Sequence, residues 1–173
     1  AESYSRVSDG IGLAIATSGP GIINLFQGIA CAYYDSIPSI FLTGDVPVPQ
    51  QKGKEKVRQL GFQEMDVVSM LTPLTKYCVT ITDPLRIRYE LEKAVHIAKS
   101  GRPGPVWIEI PMDVQSAKIT HELEKFEIRQ YEKPKINEKQ IELIIELLQN
   151  AKRPIIISGQ GVRIAGAIEL LTK

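Results

Sequence analysis

The chain has 173 residues, 43% of them hydrophobic and 24% charged, with a formal net charge of +1. That length supports one good core, or one domain with part of another. The near-neutral balance gives no electrostatic case for nucleic acid or an anionic membrane as partner, and no apolar run reaches the length of a membrane span.

With no basic-then-apolar leader at its start, the chain is expected in a reducing cytoplasm. Its two cysteines, Cys31 and Cys78, lie in apolar runs without metal-ligand neighbours and are expected to be buried thiols. The opening "AESYSRVSDG" reads as the middle of a helix, and the closing "GAIELLTK" is a helix pattern without a stop signal. Both ends therefore suggest a segment of a longer protein.

Gly12–Thr17 ("GLAIAT") is a short apolar strand candidate, broken by the Gly-Pro-Gly at 19–21. Ile22–Tyr34 follows with apolar and small residues at helical spacing, and Pro38 starts a second buried strand, "SIFLTG". From Asp45 to Gly61 the chain is polar and charged, too long for a plain connector. "QEMDVVSMLTP" is a short helix ended by Pro73, and Thr75–Thr82 is strand-like. Asp83-Pro84 then starts a helix to Ser100, with Asp as N-cap and Pro at the first helical position. "VWIEIP" is the next strand. Continuous apolar strands alternating with helices define an α/β fold, a parallel sheet with helices on both faces.

After Pro111 the texture changes. The expected organisation is a first domain over residues 1–115, lacking its N-terminal part, a charged linker over 116–136, and the start of a second α/β domain over 137–173. In that last part Asn137 caps a helix whose Ile141, Ile144, Ile145 and Leu148 face inward. Pro154–Ser158 is the following strand, and a glycine turn leads into another helix. A lone strand cannot bury both faces, so this unit reads as incomplete.

Two features bear on function. A strand that ends in small residues and turns through Gly-Pro-Gly exposes backbone N–H groups with no side chains in the way. It does so at the carboxyl end of a strand, where open α/β sheets bind ligands. A tight turn with no ligand accounts for the same spacing, and the sequence is neither a Walker loop nor a dinucleotide fingerprint. Asn24, one helical turn beyond Pro20, puts a donor and an acceptor beside the turn, unless it merely caps or locks it. His96 and His121 have no partner spaced for metal binding or for a nucleophile-base pair, and are expected to be structural and solvent-exposed respectively.

Four blocks, "YSRVSDGIGLAIATSGPGIINL", "DSIPSIFLTGDVP", "GFQEMDVV" and "SGRPGPVWIEIPMDVQ", together resemble the N-terminal, pyrimidine-binding domain of thiamine-diphosphate enzymes of the acetolactate synthase family. They occur in family order and cover about the first two-thirds of the chain. The resemblance implies that Pro20 and Asn24 line the pocket of the aminopyrimidine ring, that Gln63 reaches the same region, and that Phe62 walls the substrate adduct. Gly159, Gln160 and Gly161 match a turn that approaches FAD in members that keep the flavin, although a plain βα turn fits equally.

The implied activity is a carboligase that decarboxylates pyruvate and passes the two-carbon unit to a 2-keto acid. A second copy of the longer subunit would complete the site. The family's catalytic glutamate aligns upstream of this segment, and its magnesium-binding element belongs to a C-terminal domain. The segment is therefore not expected to act alone, and its catalytic residues cannot be named. "TGDVP" departs from the family pattern with Asp45 in place of Gln, and the loop before "GFQE" is longer. Lys52, Lys54, Lys56 and Arg58 in that loop are solvated charges, or contacts for an anionic acceptor such as a nucleotide-linked sugar in surface-polysaccharide synthesis. A flavin- or nucleotide-binding module, or a non-catalytic α/β interaction domain, are the readings from other classes.

Overall fold

A computed structural model describes residues 1–8, 10–128 and 136–173. The chain divides into two compact units, Ala1–Arg129 and Gln130–Lys173.

In the first unit, helix α1 (Glu2–Ser8) leads into strand β1 (Gly12–Ala16). The Ser5 hydroxyl donates to the Pro38 carbonyl at 2.7 Å and accepts from the Gly12 N–H at 2.7 Å, pinning α1 to the start of the sheet. After β1 the chain winds through a 3₁₀ turn, Gly19–Leu25, into α2 (Phe26–Tyr34), then β2 (Ser39–Asp45). A long loop reaches the short helix α3 (Val67–Leu71), β3 (Tyr77–Thr80), α4 (Ile87–Lys99), β4 (Pro105–Pro111) and α5 (Met112–Ser116). The sheet is parallel throughout, in the order β1-β2-β4-β3.

The strands are apolar on both sides, and their two-residue period sorts the core into two layers. Phe41 and Trp107 point to one face and pack with Ile22, Ile29, Val67 and Leu71. Val106 and Ile108 point to the other and pack with Ile81, Ala94, Ala98 and Val114. Trp107 is fully buried; burying a large apolar side chain contributes roughly 1.5–3 kcal/mol. Helices thus cover both faces, as the sequence predicts. At the β1 edge the cover stops, and Leu13 and Ile15 are exposed.

Several local expectations hold and others shift. Asp83 caps as predicted, its carboxylate accepting from the Leu85 N–H at 2.9 Å. Asp66 does the same for α3, accepting from Ser69 at 3.2 Å. The predicted helix Ile22–Tyr34 instead begins earlier, as 3₁₀ from Gly19, with Pro20 in its first turn where a missing N–H costs nothing. Cys78 is half-buried and packs against the first core layer, its thiol pushed up to about 12 chiefly by burial. Cys31, by contrast, is exposed, because α2 turns Ile29 and Ala32 inward instead. His96 is half-buried beside the Phe126 ring, with centroids 5.6 Å apart, and His121 is exposed.

Of the expected linker, residues 129–135 lie outside the described residues. Its earlier part runs along α4. The Phe126 N–H donates to Glu92 at 2.9 Å, and Arg86 pairs with Glu124 at 3.0 Å.

The second unit holds helices α6 (Glu138–Asn150), α7 (Gln160–Ile164) and α8 (Ile168–Leu171). Two expectations fail here. Pro154–Ser158 forms no strand, and Ile155 and Ile157 are 85% and 94% exposed. A strand needs a ladder partner for its N–H and C=O groups, and the described residues of this unit offer none. Ile141, Ile144, Ile145 and Leu148 do not face inward either: all four are exposed, since the described residues of this unit place no second layer against that side of α6. Gly159 stands at the N-cap of α7, with Gln160 and Gly161 as its first residues.

Candidate functional site

The site lies beyond the carboxyl end of β1, where the sheet hands over to the Gly-Pro-Gly turn. β1 and β2, the strands flanking this turn, are adjacent and parallel, paired from Gly12 with Ser39 to Ala16 with Thr43. Gly19 has φ +65, a conformation open to glycine but costly for other residues. It is also tightly approached, because a Cβ there would lie 2.3 Å from the Gln63 carbonyl oxygen. Gly21 is bare for a second reason: its Cβ would lie 2.7 Å from the Thr17 methyl. The 3₁₀ winding has a consequence for Asn24. Side chains three apart eclipse in such a turn, so Asn24 stands over Gly21, which has no side chain to block it.

Gln63 is the second unusual backbone position. Its φ of 62 is uncommon for a residue with a side chain, and such outliers concentrate where function over-determines the backbone. The chain folds back so that Gln63 lies against Gly19, although the two are 44 positions apart in sequence (63 − 19). Of the predicted site residues, Pro20, Asn24, Phe62 and Gln63 are all exposed around this junction, and Phe62 is 81% exposed. On the turn itself Pro20 is exposed, Gly21 is half-buried, and Gly19 is buried against Gln63. Gly159, Gln160 and Gly161 belong to the other unit, and nothing stands within 4 Å of a Cβ built on either glycine.

Behind the turn, the strand ends carry an acidic hollow that sequence reasoning missed. A cavity of about 150 Å³ is lined by Asp45, Gln51, Lys52, Glu64, Thr80 and Glu109, among others. Glu109 on β4 is 4% exposed. Its Oε2 accepts from the Thr80 hydroxyl at 2.7 Å, while Oε1 has no partner among the described residues. Burial pushes this carboxyl up to about 7, against the Thr80 hydrogen bond and with help from Asp45, Asp66 and Glu64. Asp45 accepts from the Gln51 amide at 2.7 Å, and burial raises it as well. The signal was present in "VWIEIP": a carboxylate in a run that otherwise reads as buried on both faces. A larger hollow of about 430 Å³ opens beside it, over Ala16, Ser18, Thr43, Gly44, Met112 and Gln115.

The loop cations divide. Lys54, Lys56 and Arg58 are exposed, whereas Lys52 is half-buried with its ammonium 4.0 Å from Asp66. Among the described residues no group of three His, Cys, Asp or Glu side chains is arranged to hold a metal ion. No described helix is long and apolar enough to cross a membrane.

A parallel sheet with a glycine turn at its carboxyl edge is an α/β arrangement of the kind in which open sheets bind ligands. Residues 1–70 match the family described as thiamine pyrophosphate enzyme, N-terminal TPP binding domain. Over its whole length the chain is 38% identical to a probable acetolactate synthase large subunit of Methanococcus aeolicus, of which it covers 29%. It is 36% identical, over 98% of its length, to the acetolactate synthase large subunit of Lactococcus lactis subsp. lactis, covering 29% of that protein. It is also 36% identical, over 99% of its length, to the glyoxylate carboligase of Escherichia coli O157:H7, covering 28% of it. Over its whole length the chain is thus similar to part of the acetolactate synthase large subunits, and its first 70 residues match the thiamine-diphosphate-binding domain named above. It spans less than a third of the length of these relatives.

Proposed function

We propose that the first unit supplies the pyrimidine-binding half of a thiamine-diphosphate carboligase site, as the domain over residues 1–115. The observation that carries this reading is the junction of Gly19 with Gln63. Two backbone conformations unusual for their surroundings meet there, and they leave an open face bordered by Pro20, Asn24 and Gln63. A flat heteroaromatic ring would rest on the exposed Pro20 and Asn24 side of the turn, where two glycines without side chains keep the main chain near the surface. Asn24 and Gln63 each offer a donor and an acceptor to ring nitrogens and an exocyclic amine. Phe62 would shield the reacting side from water.

The cofactor, when bound, supplies the carbanion-stabilising chemistry of 2-keto acid decarboxylation. This chain's residues bind and orient the ring; the carboxyl that would protonate it is not assigned to any residue here. Magnesium would be held by groups outside this chain. The activity proposed for the whole protein is decarboxylation of pyruvate and transfer of the two-carbon unit to a 2-keto acid, in the cytoplasm, with a second subunit completing the site. A nucleotide-linked keto sugar as acceptor would draw on Lys54, Lys56 and Arg58, the exposed cations of the loop. FAD at Gly159, Gln160 and Gly161 rests on the glycine turn alone, because among the described residues nothing stands within 4 Å of a Cβ built on either glycine, and no step is routed through it. The unit over 137–173 would begin the family's middle domain.

Asn24→Ala and Gln63→Ala test the reading in the intact protein. Each should raise the half-saturating thiamine diphosphate concentration about tenfold, the loss of one or two hydrogen bonds, without moving the unfolding midpoint. Unchanged cofactor dependence in both variants would refute the site.

A further inference from the structure

The loop between β2 and α3 has little regular structure, yet one side chain ties it together. The Glu64 carboxylate accepts three backbone N–H groups. Oε1 takes that of Lys52, and Oε2 takes those of Leu60 at 2.7 Å and Gly61 at 3.3 Å. Both ends of the exposed run from Gly53 to Leu60 are thereby fastened to a single group. The backbone turns back on itself at the same place, with the Glu64 N–H donating to the Gly61 carbonyl at 3.2 Å. Gly61 is pressed against Val46, the residue after β2, since a Cβ there would lie 2.9 Å from its side chain. Gln63, one residue before Glu64, holds its left-handed conformation between this fastening and the Gly19 turn.

We propose that Glu64 is a positioning residue: its carboxylate clasps the 52–61 loop so that Gln63 is held against the Gly-Pro-Gly turn in a cofactor-ready conformation. The proposal rests on the site reading given above and deepens it. A carboxylate suits the task because all three partners are donors, and charged acceptors bind backbone N–H groups more strongly than neutral ones. A glutamine cannot replace it, because one end of the amide would turn its own N–H₂ toward a donor. Of the other loop contacts, Gln51 with Asp45 fastens the segment nearest β2, and Lys52 pairs loosely, at 4.0 Å, with Asp66 at the start of α3. Neither reaches the N–H groups of Leu60 and Gly61, which Glu64 holds.

The test compares Glu64→Gln, Gln63→Ala and the double variant in the intact protein. Two readings are taken: the rate of tryptic cleavage after Lys54, Lys56 and Arg58, and the half-saturating thiamine diphosphate concentration with magnesium present. Glu64→Gln should speed cleavage in the loop about tenfold and raise half-saturation about tenfold, with the global unfolding midpoint little changed. In the Gln63→Ala background it should still speed cleavage but add nothing to half-saturation, which a merely structural role would not produce. Cleavage that stays slow in Glu64→Gln overturns the clasp. Faster cleavage with normal half-saturation, while Gln63→Ala alone shifts it, overturns the positioning role. A Gln63→Ala variant that is itself silent removes the underlying site, and the proposal falls with it.

Discussion

Glu109→Gln should stabilise the domain at neutral and alkaline pH and do little in acid. The carboxyl has an ordinary value of 4.5 and rises to about 7 in the fold, chiefly because burial disfavours the anion. A carboxyl with a raised folded value binds its proton more tightly when folded, so stability is greatest below 4.5 and falls as pH rises toward 7. Above 7 the full cost is present. From 4.5 to about 7 that cost is about 3 kcal/mol, at roughly 1.4 kcal/mol per tenfold change in proton affinity.

Glutamine mimics the protonated form and avoids the buried charge beside Asp45, Asp66 and Glu64. Urea denaturation followed by fluorescence of Trp107, the single tryptophan, reads the difference between variant and parent at pH 5, 6, 7 and 8. The variant's advantage should grow with pH and approach about 3 kcal/mol at pH 8. A difference that is flat from pH 5 to 8 would refute the reasoning. It would mean that Glu109 titrates alike in folded and unfolded chain.

Two further outcomes follow from backbone geometry. Gly19→Ala places a side chain at φ +65 and 2.3 Å from the Gln63 carbonyl, so it should lower unfolding free energy by about 2 kcal/mol or more and weaken cofactor binding together; a neutral urea midpoint would mean that the turn and the loop do not meet. Asp66→Ala removes the carboxylate that caps α3 at Ser69 and should cost about 1 kcal/mol. Denaturant titration checks it, and no loss would leave the cap without energetic weight.

How much of this was legible in the sequence differs by element. The parallel sheet was, because "SIFLTG" and "VWIEIP" are continuous apolar runs, and only a sheet covered on both faces needs those. The turn at Gly19–Gly21 was legible as bare backbone, but its 3₁₀ winding was not, and only that winding puts Asn24 on the same side as Gly21. The return of Gln63 to Gly19 is a long-range contact set by loop packing, and no local pattern announces it. Glu109 was passed over because period and composition mark it simply as strand. Its chemistry arises only when Thr80, Asp45 and Glu64 converge on it from other elements. In the second unit, helical periodicity correctly located α6, whereas the burial of Ile141 and Ile144 and the strand at Pro154–Ser158 required partner surfaces that the described residues of that unit do not contain.

The central claim is that main chain at Gly19–Gly21 forms the resting surface for a thiamine ring. A crystal structure of the intact protein with thiamine diphosphate and magnesium tests it most directly. The account predicts the aminopyrimidine lying on that turn, within hydrogen-bond reach of Asn24 or Gln63. A ring bound elsewhere, with the turn's outer face covered by the protein's own side chains, would contradict it.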